Sequence, residues 1–137
     1  MRELRGSCLC RGVEYTVDDD FQYMGHCHCS QCRKFSGSAF SAFGGIEPDK
    51  LRITRGAGLV NRYEKAPQIW LAFCRNCGSS LYSDKLGRGM LHLRIGTLDD
   101  VPTRRPNYHV YVGSKAEWHD IRDDLMQFTE APSRRPE

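Results

Sequence analysis

Seven cysteines arrive in three packets, Cys8/Cys10, Cys27/Cys29/Cys32 and Cys74/Cys77, and this arrangement constrains the fold more than any other feature. An odd count leaves at least one sulfur without an intramolecular disulfide partner. A chain of 137 residues buries roughly two-thirds of its unfolded surface on folding, so small size alone does not call for crosslinks. The packets therefore read as ordered ligand sets. Structural zinc takes four protein ligands, whereas catalytic zinc takes three and keeps its fourth position open. Keeping each packet whole gives a simple division. Cys8, Cys10, Cys74 and Cys77 make a closed four-sulfur site, and Cys27, Cys29 and Cys32 make a second site with an open position.

The local sequence suits this division. In Cys74-x-x-Cys77-Gly78 a tight turn brings two thiolates toward one ion, and the glycine tolerates the backbone that follows. In Cys8-x-Cys10 an extended segment puts both side chains on one side, and Gly6 and Gly12 ease the kink that draws the sulfurs together. The alternative for these pairs is redox-active or buried free thiols. The alternative for the triad is closure by His26, His28 or His109. If the triad segment is extended, Cys27 and Cys29 share a face and His26 and His28 point away, which favours the open site.

The rest of the chain alternates short strand-like runs with glycine turns. Val13 to Val17 alternates apolar and polar residues, and Phe21 to His26 delivers the chain into the triad. Ser38 to Phe43 reads as a strand ended by Gly44-Gly45. Leu51–Arg55 and Leu59–Glu64, flanking Gly56-Ala57-Gly58, resemble a hairpin. Ile69 to Phe73 is the most apolar run and is expected in a central strand. Ser80–Tyr82, Met90–Ile95 and His109–Val112 complete the strands. Ser114 to Phe128 is compatible with a helix and equally with an extended cover strip. Trp70 and Trp118 are expected in the core, and His92 and His109 as hydrogen-bonded strand residues. The fold class is mainly β and antiparallel, with one zinc-binding domain over residues 1–130 and a loose polar tail over 131–137.

A formal net charge of +3 gives little reason to expect a nucleic-acid or anionic membrane partner. No apolar run approaches the roughly 20 residues of a membrane span. The charged opening lacks a signal-peptide pattern, and a cytoplasmic protein with reduced cysteines is the expectation.

Three segments, Gly6-Ser7-Cys8-Leu9-Cys10-Arg11-Gly12, Cys27-His28-Cys29-Ser30-Gln31-Cys32-Arg33-Lys34 and Phe73-Cys74-Arg75-Asn76-Cys77-Gly78, resemble the glutathione-dependent formaldehyde-activating enzyme family, which includes centromere protein V-like proteins. The stretch from His109 to Trp118 is similar to that family's C-terminal segment. Met126 departs from it, standing where the family often has proline. The resemblance covers Gly6 to about Phe128. It implies a zinc-stapled β-tent, structural zinc on Cys8, Cys10, Cys74 and Cys77, and an activity-associated zinc on Cys27, Cys29 and Cys32. The implied activity is carbon–sulfur lyase chemistry on a small-molecule thiol and aldehyde, namely glutathione and formaldehyde.

Three thiolates around a dication leave one negative charge, which suits a soft sulfur ligand better than hard hydrolysis. Arg33 and Lys34 follow the triad directly and are candidate contacts for the carboxylates of a glutathione-like thiol. No residue stands out as a general base, and the oligomeric state is not encoded in any visible pattern. The rival expectations are a non-enzymatic zinc module that binds another protein and a zinc-ribbon nucleic-acid binder.

Overall fold

The computed structural model describes residues 2–137, apart from the side chain of Leu86. Met1, where the expected domain opens, lies outside the described residues. In chain order the elements are β1 (Glu3–Ser7), β2 (Glu14–Asp18), β3 (Tyr23–Cys27), α1 (Ser30–Ser36), β4 (Ser41–Ile46), β5 (Leu51–Arg55), β6 (Val60–Ala66), β7 (Ile69–Cys74), β8 (Ser80–Lys85), β9 (Met90–Arg94), β10 (Tyr108–Val110) and β11 (Met126–Gln127). They form a three-stranded sheet, β1-β2-β5, and an eight-stranded sheet, β11-β10-β3-β4-β9-β8-β7-β6. The mainly β expectation holds. All pairings are antiparallel except those of β10, which runs parallel to both β3 and β11.

Register explains how the larger sheet serves two purposes. Side chains alternate between faces along a strand, and residues directly opposite on neighbouring strands share a face. Phe43 lies opposite Arg94, Gly45 opposite His92, and His92 opposite Ser83. Cys27 lies opposite Ser41 on the same face. The alternate positions, Met24, Ile46, Leu91 and Leu93, point the other way. There they meet Leu4, Tyr15 and Val17 of the small sheet, with Phe21, in one buried cluster. One face of the large sheet thus packs on the small sheet, and the other carries a smaller buried cluster of Cys27, Phe43, Tyr108 and Val110.

The Gly44-Gly45 pair does not end a strand, contrary to the sequence reading. β4 runs through both residues. A Cβ at Gly44 would lie 2.6 Å from the Phe21 ring, and one at Gly45 would lie 2.3 Å from the Tyr23 ring. Bare backbone is used here because aromatic rings from the neighbouring segment press against both residues.

Leu51–Arg55 and Leu59–Glu64 do not form the expected hairpin. β5 pairs with β2 in the small sheet, whereas β6 pairs with β7 in the large one. The Gly56-Ala57-Gly58 turn is where the chain crosses between sheets. Ile69–Phe73 does sit inside the sheet, hydrogen-bonded on both sides.

The stretch from Ser114 to Phe128 is the extended alternative rather than a helix. It ends in β11, and Phe128 packs its ring against Tyr108. Asp123 accepts a hydrogen bond from the Leu125 backbone, a local turn that competes with helix formation. Trp118 is not core but 75% exposed on this strip.

The crossover turn yields a prediction. Gly56 has φ of +76°, and a Cβ there would sit 1.9 Å from the Gly12 carbonyl oxygen. Gly56→Ala combines backbone strain with a backbone clash and should cost about 2 kcal/mol or more. Gly58→Ala, with open space around its Cβ, should be near neutral. Urea denaturation of both variants against the parent checks the contrast.

Candidate metal centre and adjoining cleft

The first cysteine cluster is assembled from distant parts of the chain. Cys8 and Cys10 lie in the turn after β1, Cys74 ends β7, and Cys77 sits in the turn before β8. The four sulfurs lie within 4.8 Å of one another. Cys8 Sγ is 3.6 Å from Cys10 Sγ, and Cys10 Sγ is 3.9 Å from Cys74 Sγ. A tetrahedron with zinc–sulfur bonds of about 2.3 Å has sulfur–sulfur edges of roughly 3.8 Å. The donor set is compatible with zinc on this count.

Backbone N–H groups point at the sulfurs, Val13 at Cys8 (3.3 Å) and Gly12 at Cys10 (3.4 Å), as suits thiolates. The Ser79 hydroxyl, 3.2 Å from Cys77 Sγ, is the largest influence drawing that thiol down to about 5. Leu9 N–H donates to Ser79 Oγ, and Arg75 N–H donates to the Leu59 carbonyl, so both turns are held by bonds beyond the cluster.

The second cluster is local. Cys27 ends β3, Cys29 is the N-cap of α1, and Cys32 lies one turn into that helix. The Cys32 N–H donates to Cys29 Sγ at 3.3 Å, so the ligand also satisfies a free helix-end donor. Gly37, with φ of 65°, stops the helix after seven residues. Cys27, Cys29 and Cys32 bring their sulfurs within 4.8 Å of one another, and no fourth ligand joins them among the described residues. Contact with Cys29 pushes the Cys27 thiol far up, and contact with Cys27 pulls Cys29 down. Three sulfurs so close, one buried and two half-buried, cannot all ionise readily unless a cation sits among them. The donor set again suits a thiophilic dication.

The three histidines that rivalled the open site are turned away from it. His28 shares a 2.9 Å hydrogen bond with His109, which reaches Asp123 at 3.1 Å. The His26 ring packs between Phe40 (4.5 Å) and His109 (4.9 Å). This is the opposite-face placement expected from the extended run.

The triad opens into a cleft of about 420 Å³, within the usual range for small-molecule sites. Phe35, Phe43, Tyr108 and Val110 give it apolar walls. His92 and Arg94 form part of its floor, and Ala131, Pro132 and Arg135 of the C-terminal tail line it as well.

Arg33 and Lys34 are not among the lining residues, although Ser30, Gln31 and Phe35 of the same helix are. The cations that do line the cleft are Lys65, Lys85, Arg88, Arg94 and Arg135. Sequence reasoning missed all five. Only Arg94 left a signal: in Leu91-His92-Leu93-Arg94 the two leucines alternate with two polar residues, as expected of a strand with one core face and one functional face.

A β fold that carries a four-sulfur cluster, and apart from it a three-sulfur cluster opening into a cleft, defines a protein with two donor sets able to hold metal ions, one with four protein sulfurs and one with three. The profile of the glutathione-dependent formaldehyde-activating enzymes matches residues 3–114, and the chain belongs to that family. An uncharacterized lyase of Schizosaccharomyces pombe is 29% identical over 130 residues, covering 94% of this chain and 93% of that protein. A Penicillium rubens protein bearing the family's name is 29% identical over 119 residues; the match covers 84% of this chain but only 62% of that protein's length. A crystal structure of a Rhodobacter sphaeroides protein superposes with a TM-score of 0.62 at 25% identity, covering 74% of this chain and 93% of the other. No helix of the described residues is long and apolar enough to cross a membrane.

His92 supplies a pH prediction for the cleft floor. Burial, reinforced by the nearby cations, holds it down at about 3, while its ring shares a 2.7 Å hydrogen bond with the Tyr23 hydroxyl. The unfolded chain takes up this proton near pH 6.5, and the folded chain not until about pH 3. The stability it contributes is therefore intact above pH 6.5 and lost as pH falls through that window. His92→Gln should flatten the fall of the melting temperature between pH 6.5 and 4. Melting curves of parent and variant at several pH values provide the check.

Proposed function

We propose that this chain is a zinc-dependent carbon–sulfur lyase that joins formaldehyde to a glutathione-type thiol. The observation that carries the reading is the three-sulfur cluster, without a fourth protein ligand among the described residues, opening into the cleft. Family membership and the lyase designation of the fission-yeast relative support it.

In this reading Cys8, Cys10, Cys74 and Cys77 hold a structural zinc, and Cys27, Cys29 and Cys32 hold a second zinc beside the substrate. Zinc bound at an open site lowers the pKa of a thiol and polarises a carbonyl. The chain's own part is positioning. Phe35, Phe43 and Tyr108 exclude water from around the reacting carbon, and the lining lysines and arginines draw in the substrate's carboxylates. As the carbon–sulfur bond forms, the carbonyl π bond becomes a hydroxyl, and the proton lost from the thiol balances the one gained by oxygen. No oxidant or reductant is required.

A non-enzymatic interaction module would be favoured by a filled triad and a closed surface beside it. The cleft gives that reading no support.

Purified protein should carry close to two zinc ions per chain by metal analysis. Exchange NMR with formaldehyde and glutathione should show catalysed S-hydroxymethylglutathione exchange. Cys29→Ser should slow it by more than roughly 10-fold, the smaller loss typical of changes outside the ligand sphere, with little effect on the melting temperature. Cys74→Ser should instead unfold or strongly destabilise the whole chain, because binding of structural zinc is folding free energy. Catalysis undiminished in Cys29→Ser, or absent from a parent protein holding two zinc ions, would remove this reading for glutathione.

A further inference from the structure

The cleft contains five cations and no carboxylate. Lys65, Lys85, Arg88, Arg94 and Arg135 all line it, whereas no aspartate or glutamate does. None of the five makes an ion pair among the described residues, although Arg5, Lys50, Arg52 and Arg62 elsewhere are matched with acidic partners.

Arg94 is the most informative of them. It is only 8% exposed, and its Nη1 donates to the His92 carbonyl at 2.9 Å. Its Nε has no partner. Its guanidinium lies 5.3 Å from the centre of the Phe35 ring. A buried guanidinium without a carboxylate is costly unless an anion meets it. The hydroxyl of Tyr108, on the same lining, is also buried without a partner.

Three thiolates around a dication sum to one negative charge, which offsets one cation and leaves the other four. At the other end of the lining the Arg135 guanidinium lies 3.9 Å from the centre of the Tyr23 ring, and both Arg88 and Arg135 act electrostatically on Tyr23 and His92. Positive charge therefore extends from the triad to the mouth.

Glutathione carries two carboxylates but also an ammonium group on its γ-glutamyl end. Apart from the triad, where the thiol itself must bind, this cleft offers that ammonium no carboxylate and several like charges. The geometry points to a different preferred thiol: one with at least two net negative charges, as carboxylate or phosphate, and no free ammonium group. This inference rests on the thiol-binding reading of the site and narrows its substrate class. Four of the five cations lie within the residues of the family match, and Arg135 of the tail, beyond residue 114, adds the fifth.

The test compares two thiols that differ only at the ammonium. Glutathione and glutaryl-Cys-Gly, in which hydrogen replaces the ammonium group, are titrated into zinc-loaded protein without aldehyde and followed by calorimetry. Glutaryl-Cys-Gly should bind at least fivefold more tightly in low salt, and the gap should shrink as salt screens the exposed mouth. Arg135→Glu, an exposed change that the fold should tolerate, should narrow or invert the ratio by supplying the missing carboxylate.

Equal affinity, tighter binding of glutathione, a ratio unmoved by Arg135→Glu, or binding of neither thiol overturns the inference. Adding formaldehyde afterwards separates it from the lyase reading. Selective binding without exchange removes the lyase activity alone, and exchange that favours glutathione removes the selectivity alone.

Discussion

Four sulfurs from opposite ends of half the chain converge where the two sheets meet, and the remaining architecture depends on that convergence. The small sheet contributes three short strands, and its apolar contact with the large sheet is a single cluster around Leu4, Tyr15 and Val17. The Cys8–Cys10 turn and the Cys74–Cys77 turn add a second point of attachment, walled by Val13 and Leu81. Two attachments fix the angle between sheets where one would leave a hinge. The chain between Cys10 and Cys74 is thereby closed into a loop, and the Cys27–Cys32 segment lies inside it. The open cluster depends on the closed one for its setting, whereas its own ligands sit close together in sequence and contribute little to holding distant elements together.

The large sheet then partitions its residues by parity. Positions such as Leu91 and Leu93 support the core, and the positions between and after them, His92 and Arg94, face the cleft. Arg94 shows what this arrangement permits. A guanidinium is held almost fully buried next to three thiols, packed against Phe35, without disturbing the apolar side of the same strand. Burial in such a place strengthens every charge interaction made with a ligand, because water is no longer there to screen it.

The two cysteine clusters were legible because a set of residues able to chelate leaves a compact mark: cysteines in pairs and a triad, with few ways to group them. The β class was legible because alternation and glycine punctuation recur along the whole chain. The extended cover strip was legible only as one of two options, since Trp118, Ile121, Leu125 and Phe128 fit a helical spacing that the Asp123 turn and the pairing of β11 with β10 override. The Leu51–Glu64 hairpin was misread because turn chemistry looks the same whether the chain folds back or crosses to another sheet. Helix α1 was missed because seven residues are too few to display a period, although Gly37 marks its end. The cleft cations were hidden for a different reason. They come from β6, β8, β9, the turn between the last two and the tail, and only the fold brings them together; no local pattern in the sequence carries that information.

The division of the large sheet into odd and even positions also bears on how such a protein diversifies. Polar residues of the cleft face such as Lys85 and Arg88 are not part of either apolar cluster, so they are free to change while the leucines and aromatics beside them stay fixed. A one-residue slip in β9 would be ruinous, sending a guanidinium inward and two leucines outward. Point changes at His92, Lys85 or the tail carry no such penalty. The scaffold therefore separates the inheritance of its shape from the inheritance of its taste, and the same sulfurs can stand beside clefts of different charge.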